Sequence, residues 1–267
     1  MSKVKIASYN IHGWVDADHE SNLERVVDVV NKHDPDILCL QEVYACWELP
    51  CLLEFLRKTV FEYTLRWEGC AILSKKKFIL EEFSGGKDGL TYHRLLPKAP
   101  GFEFNRPRYL TAEVKTEEGD LLFYLTCIHL VPKYSELRFE EIVRISEDLT
   151  PLFHEDKPQL WCGDFNTLSR KDYSDDEWDE IVAIRRKNGR KAPLNNVVET
   201  IEKLGFTDNW TRAGKPAPRT TSRFNTRVDY VFTSGAFDSN WSLKSFNHYP
   251  YEASDHSFVV AEFDQKP

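Results

Sequence analysis

Leu160-Trp161-Cys162-Gly163 is a short apolar run that ends in a turn presenting Asp164 and Asn166, two residues apart. Two more runs have the same build: Lys5 to Tyr9 leads into Asn10, and Asp36 to Gln41 leads into Glu42. Near the far end, Ser254-Asp255-His256 directly precedes the apolar run Phe258 to Ala261. Continuous apolar runs of this length read as strands buried on both faces. Polar groups placed at their tips, and drawn from both ends of the chain, require sheets packed so that these edges share one cleft. An isolated example of any of them would mean little.

With 267 residues, 41% of them hydrophobic, the chain can bury a large core without disulfides, and one domain over residues 1–267 is expected. A net charge of -8 opposes indiscriminate nucleic-acid binding, which relies on neutralising phosphates, and leaves room for a local basic cleft. The cysteines at 39, 46, 51, 70, 127 and 162 show no paired metal spacing. Cys39, Cys127 and Cys162 sit inside apolar runs, as reduced core thiols do, which points to cytoplasmic or nuclear residence. No signal-peptide segment opens the sequence, and no apolar run is long enough to span a membrane. A soluble intracellular protein is expected.

Taken in order, a strand over Lys3–Tyr9 precedes a helix whose apolar face is Leu23, Val26, Val27 and Val30, with Ser21 and Glu24 spaced as a capping box. Asp34-Pro35 stops that helix. A second helix is expected over Trp47–Thr59 with Pro50 near its start, then strands at Tyr63–Trp67 and Cys70–Ser74. The glycine- and proline-rich interval Lys75–Arg108, which includes Tyr92 and His93, reads as strands joined by substrate-facing loops. Strands at Tyr109–Val114 and Leu121–Leu125 flank a hairpin turn, and the second continues to His129. Helices are expected at Ser135–Leu149 and Asn196–Leu204, and strands at Gln159–Gly163, Arg227–Phe232 and Phe258–Phe263. Arg185, Arg186, Lys187, Arg190 and Lys191 follow an amphipathic stretch. They read equally as a solvated helix end and as a phosphate-contacting edge. Arg219, Arg223 and Arg227 surround Phe224, for which core packing is the expectation.

The polar tips have a joint chemistry. Glu42, assisted by Asn10 and Asp255, offers the hard oxygen ligands that magnesium prefers. Asp164 suits orientation of an attacking water, and Asn166 suits a hydrogen bond to a phosphate oxygen. His256 has the neutral range useful for phosphate stabilisation or proton transfer, and His129 supplies a second imidazole, with Asp208 placed to fix a loop or the His129 ring. Two histidines and a carboxylate also make a zinc set, set aside because oxygen donors dominate and no thiolate joins them.

Ser8-Tyr9-Asn10, Leu40-Gln41-Glu42-Val43, Thr126 to Leu130, Gly163-Asp164-Phe165-Asn166, Arg227 to Phe232 and Ser254-Asp255-His256 together resemble the endonuclease/exonuclease/phosphatase, or deoxyribonuclease I-like, superfamily. The resemblance implies an α/β fold, a four-layer sandwich with two central mixed β-sheets flanked by helices. It implies in-line hydrolysis of a phosphate ester with Mg2+, Mn2+ being a possible substitute. Residue by residue, it implies Asn10 and Glu42 on the metal side, His129 at the phosphate, Asp164 with Asn166 as the water-positioning pair, and Asp208 as a site carboxylate. Asp229 would support the network, Asp255-His256 would form the terminal dyad, and Arg108 would be the basic residue before a central strand. Substrate contacts are expected from Arg108, Asn166, Arg186, Trp210 and Arg223. The tryptophan-cysteine-aspartate-arginine segment of the phosphoinositide phosphatases is absent between Arg219 and Asp229. Nucleic acid with single-stranded or irregular ends is the expected substrate, a small phosphate ester or lipid headgroup the enzymatic alternative, and a catalytically silent partner-binding protein the other.

Overall fold

The computed structural model describes residues 3–16, 18–43, 45–83, 108–214 and 220–267, with the side chains of 45–49 outside the description. The first sheet has β1 (Lys3–Asn10) and β2 (Ile37–Val43) at its centre, running parallel. β12 (Phe258–Gln265) and β11 (Trp241–Tyr249) lie outside β1, and β4 (Gly69–Ser74) and β3 (Tyr63–Trp67) lie outside β2. The second sheet runs β5 (Ile79–Glu82), β6 (Tyr109–Lys115), β7 (Leu121–His129), β8 (Gln159–Asp164), β10 (Asp229–Ser234), β9 (Phe206–Asp208), with β7 and β8 parallel.

Three apolar clusters explain why the central strands read as continuous hydrophobic runs. Ile6, Ile37, Cys39, Ile72, Leu125, Cys127, Leu160, Cys162 and Val231 fill the space between the sheets. Leu38, Leu40, Ala71 and Val260 point the other way, onto α1 (Leu23–His33) and α2 (Ala45–Lys58). Ile128, Trp161, Tyr230 and Phe232 pack under α3 (Ser135–Asp148), α4 (Thr150–His154) and α6 (Asn196–Lys203). Both faces of both sheets are therefore covered, which is the condition for unbroken apolar strands, and the layers number four as the resemblance implied. Three further helices are α5 (Asp175–Lys187), α7 (Asn209–Arg212) and α8 (Gly235–Asn240). Among the described residues no helix is long and apolar enough to cross a membrane.

Several local expectations are corrected. The first helix begins at Leu23 with Asn22 as its cap residue, so Ser21 sits one position too early to serve. Asn22 instead donates its amide to the carbonyls of Ile11, Val15 and Ala253, tying the end of β1 to the loop before β12. The capping box forms elsewhere, between Ser174 and Glu177 at the start of α5. Pro50 lies inside α2, because that helix starts at Ala45 rather than Trp47. β11 has no counterpart in the sequence reading. Its polar-apolar alternation, half-exposed as befits an edge strand, carries a weaker signal than the buried runs. Tyr92, His93, Cys46 and Arg219 fall outside the residues or side chains described. Cys39, Cys70, Cys127 and Cys162 are free, fully buried thiols between the sheets.

Gly163 sets how closely β7 and β8 approach near their ends. Its φ is +143°, and a Cβ there would lie 1.9 Å from the carbonyl oxygen of Ile128, which is backbone and has no freedom to rotate away. Gly163→Ala is expected to destabilise the fold by about 2–3 kcal/mol through forced strand separation, read by urea unfolding; an unchanged midpoint would show that β7 and β8 are not held at this spacing.

Candidate active site

The strand register places most of the polar tips before any side-chain contact is considered. Across the second sheet His129 of β7 pairs with Asp164 of β8, and Asp164 pairs with Asp229 of β10. In the first sheet Asn10 ends β1 beside Gln41 of β2, one residue before Glu42. At the strand tips the Asn10 Nδ2 group links the two sheets, donating to Glu42 Oε1 at 3.1 Å and to Asp164 Oδ2 at 3.1 Å. Asn10 Oδ1 accepts from the His12 backbone N–H. Ser254 closes the arrangement from the other terminus: its hydroxyl donates to the Asn10 carbonyl at 2.6 Å and accepts from the His256 backbone N–H.

Asp164 is the most densely bound carboxylate of the group. Besides Asn10, it accepts from the Asn166 backbone N–H at 2.8 Å and from Asn166 Nδ2 at 2.9 Å. Burial pushes its carboxyl up to about 7, reinforced by the charges of Asp229 and Glu42 and opposed by His256 and the Asn166 N–H. Both protons of Asn166 Nδ2 are committed, to Asp164 and to the Leu130 carbonyl at 3.0 Å. Asn166 therefore orients Asp164 and does not have its N–H groups free for a phosphate oxygen, which corrects that expectation. Glu42 and Asn166 both hold left-handed backbone, φ 64° and 49°, a state that asparagine adopts readily but that for glutamate persists where surrounding contacts fix it.

The two histidines differ in charge. His256 Nδ1 lies 2.9 Å from Asp229 Oδ2, with Nε2 at 3.8 Å from Asp164 Oδ2. Burial opposes its imidazolium, but Asp229 and Asp164 outweigh that and push it up to about 10. His129 is fully buried, and burial, with the Arg108 and His256 charges, holds it well below the usual range. Both ring nitrogens are buried without hydrogen-bond partners, and Nε2 lies 3.8 Å from Glu42 Oε1 and 3.7 Å from Asp164 Oδ2. It is thus a neutral ring with its hydrogen-bonding capacity unspent.

Ligating atoms of Asp164, Asp229 and His256 lie within 4.8 Å of one another, a candidate divalent-metal cluster that the His256 imidazolium joins only by giving up its proton. Asp255 adds an observation of its own: Oδ1 is buried without a partner while Oδ2 faces Arg223 at 3.4 Å. A buried carboxylate oxygen without a partner fits a hard cation. Because Asn10 turns its NH2 towards the carboxylates and its carbonyl towards His12, Glu42 presents the freer ligand oxygen of that pair.

Beside Asn166 and His256 opens a cleft of about 800 Å³. Pro132, Ile181, Ile184, Leu194, Phe224 and Val228 give it apolar walls, Lys133, Arg185, Arg190 and Arg223 give it positive charge, and the buried Arg138 borders it. Phe224 is 66% exposed with the Arg223 guanidinium over its ring at 5.0 Å, so the expectation of core packing is wrong for this residue. A second depression, along β11, holds none of the strand-end residues.

Several predicted residues lie away from this cleft or serve another purpose. Asp208 caps α7 at Trp210 N and pairs with Arg227 at 2.6 Å; its hydrogen bonds go to that structure and not to His129. Arg227, itself buried, also grips Asp172 at 2.8 Å. Trp210 is packed against Phe246 and His248, in the core and not at the substrate side. Arg186 is exposed on α5 but does not line the cleft; Arg185 and Arg190 do. Arg108 is buried, its carbonyl accepting from His129 N at 2.9 Å and its Nη2 without a partner. Missed by the sequence reading were Pro132, Lys133, Arg138, Ile181, Ile184 and Leu194, whose only signal was their nearness to the His129 segment or to the basic run.

The model of the Endonuclease/Exonuclease/phosphatase family matches residues 7–256, from β1 to the histidine that faces Asp229. The chain belongs to this family. Among characterised sequences it is similar to Protein angel of Drosophila melanogaster, 30% identical over 194 residues, a match covering 62% of this chain and 53% of that protein. The chain thus matches about half the length of that relative. Among solved structures it is similar to the human Nocturnin catalytic domain with bound sulfate, with TM-score 0.64 at 15% identity, covering 99% of this chain and 95% of that one. It is also similar to D. rerio TDP2 complexed with single strand DNA product, with TM-score 0.61 at 18% identity, covering 99% and 100%. At these identities both structures speak for the endonuclease/exonuclease/phosphatase fold.

The structural assignment of Asp208 has a direct consequence. Asp208→Ala leaves part of the buried Arg227 charge uncompensated and is expected to cost about 3 kcal/mol by urea unfolding; stability equal to the parent would return Asp208 to the candidates for a chemical role.

Proposed function

We propose that this protein is a metal-dependent phosphodiesterase acting on single-stranded nucleic acid at or near an end. The observation that carries the substrate class is the exposed Phe224 in a cationic cleft that opens beside Asn166 and His256. A base stacks on an aromatic face whatever its identity, and Arg185, Arg190, Arg223 and Lys133 are placed along the same cleft for backbone phosphates. Apolar walls from Ile181, Ile184 and Leu194 favour a flat base over a sugar or polyol headgroup, which calls for hydroxyl acceptors instead.

The donor set is read as holding magnesium, or manganese in its place, through Glu42 with Asp255 assisting, while Asn10, whose NH2 donates to Glu42, positions that carboxylate. Such an ion, when bound, would supply neutralisation of phosphate charge and stabilisation of the departing oxygen. The protein's own contribution is then separable. Asp164, held by three amide N–H groups, orients the attacking water and accepts its proton, as a carboxyl with an affinity near neutrality is suited to do. His256, kept charged by Asp229, donates to a phosphoryl oxygen. His129, neutral and without partners, offers a second donor on the opposite side of Asp164. Asn166 and Asn10 hold the Asp164 carboxyl in one orientation throughout.

Purified protein with magnesium, assayed against labelled single-stranded DNA and RNA, their duplexes, sugar phosphates and short-chain phospholipids, tests this directly. Cleavage of single strands ahead of duplexes is expected, lost on chelation and restored by magnesium or manganese, with Asp164→Asn lowering kcat about 1000-fold. Turnover confined to lipid or sugar phosphate would transfer the protein to the alternative substrate class, and no turnover on any panel would favour a silent binding protein. Within the leading assignment, Phe224→Ala is expected to raise KM for a short oligonucleotide about tenfold with kcat nearly unchanged; an unchanged KM would remove the stacking role.

A further inference from the structure

Arg138 and Glu141 are buried charged side chains one turn apart on α3, and neither belongs to the group of strand-end residues. Taking two charges out of water is costly unless their hydrogen bonds are well made. Theirs go to the segment that follows His129. Glu141 Oε2 accepts from the Val131 N–H at 2.7 Å. Arg138 Nη1 donates to the carbonyls of Val131 and Pro132, each at 3.1 Å, and Nη2 donates to Ser135 Oγ at 2.7 Å. The site supplies the remaining contacts: Leu130 N donates to the Asp164 carbonyl at 2.9 Å, and the Leu130 carbonyl accepts from Asn166 Nδ2.

Every backbone donor and acceptor from Leu130 to Pro132 is therefore engaged, proline having no N–H to satisfy. Such complete engagement leaves the segment one conformation. Pro132 and Lys133 are cleft walls, while Leu130 shares a hydrogen bond with the amide that orients Asp164. From this we infer that Arg138 and Glu141 are positioning residues that clasp Leu130–Pro132 and thereby fix the wall against which a nucleotide is seated. Arg138 reaches the cleft but spends its terminal nitrogens on the clasp, so its effect on substrate passes through Pro132 and Lys133. The inference rests on the proposed nucleic-acid substrate and adds to it two residues of α3 that determine how that substrate is held.

The test compares steady-state kinetics of Arg138→Met, Glu141→Leu and Glu141→Gln on two substrates: a short single-stranded oligonucleotide and methyl 4-nitrophenyl phosphate, which lacks the nucleotide to be seated. Arg138→Met and Glu141→Leu are expected to raise KM for the oligonucleotide about tenfold, a small misplacement being enough, with kcat and the small-diester kcat/KM changed less than about threefold. Glu141→Gln, whose amide oxygen still accepts from Val131 N–H, is expected to stay close to the parent. If Arg138→Met does not fold, the contrast between Glu141→Leu and Glu141→Gln decides alone. Equal losses on both substrates, or an oligonucleotide KM unmoved in folded Arg138→Met and Glu141→Leu, would overturn the clasp while leaving the phosphodiesterase assignment intact. A parent protein that turns over only the small diester would overturn the substrate assignment and the clasp with it.

Discussion

The Asn10 amide is the one interaction on which the rest of the site depends. It joins the first sheet to the second by donating to Glu42 on one side and Asp164 on the other, and it does so where two carboxylates would otherwise face each other in a poorly solvated space. Like charges in such a place repel strongly and drive one of them to bind a proton. Burial is the main reason that the proton affinity of Asp164 is raised, and the charges of Asp229 and Glu42 add to it while His256 and the Asn166 N–H oppose it. Gly163 has a matching role within the second sheet, since only a residue without Cβ allows β8 to pass so close to Ile128 immediately before Asp164.

The site is built from residues with contrasting environments rather than from a run of similar groups. His256 and His129 are both buried imidazoles near Asp164, yet one has a carboxylate on Nδ1 and the other has no partner on either nitrogen. This separation of charge states gives one cationic donor and one neutral ring around the same carboxyl, a division of tasks common where environments push titrations apart. Beyond that centre, the endonuclease/exonuclease/phosphatase fold is given its own cleft by α5 and by the turn at Phe224, and the Arg138–Glu141 clasp fixes the wall between centre and cleft.

The parts of this architecture that were legible in the sequence are those with a local signature. Buried strands such as Ile37–Val43 and Gln159–Asp164 are unbroken apolar runs, and the tips Asn10, Glu42, His129 and Asp164 follow from where those runs stop. Asp229 and His256 were legible as members of a pattern spread over the chain, although their mutual hydrogen bond was not. What escaped is what tertiary packing decides. Asp208 and Arg227 look like surface or cleft charges in sequence, but they are consumed by a buried pair with each other and Asp172. Trp210 and Phe224 exchange their expected places, one packed in the core and the other exposed, because an aromatic residue in a short connection carries no periodicity to show which way it faces. The half-exposed edge strand β11 was lost for a related reason: its alternation is too weak to stand out beside buried strands.

The most direct test of the account is an anomalous-scattering map from crystals of Asp164→Asn protein soaked with Mn2+ and a short single-stranded oligonucleotide. The account predicts a manganese peak on Glu42, a phosphate between His129 and His256, and the adjoining base against Phe224. Manganese remote from Glu42, or an ordered oligonucleotide whose phosphate avoids both histidines, would contradict it.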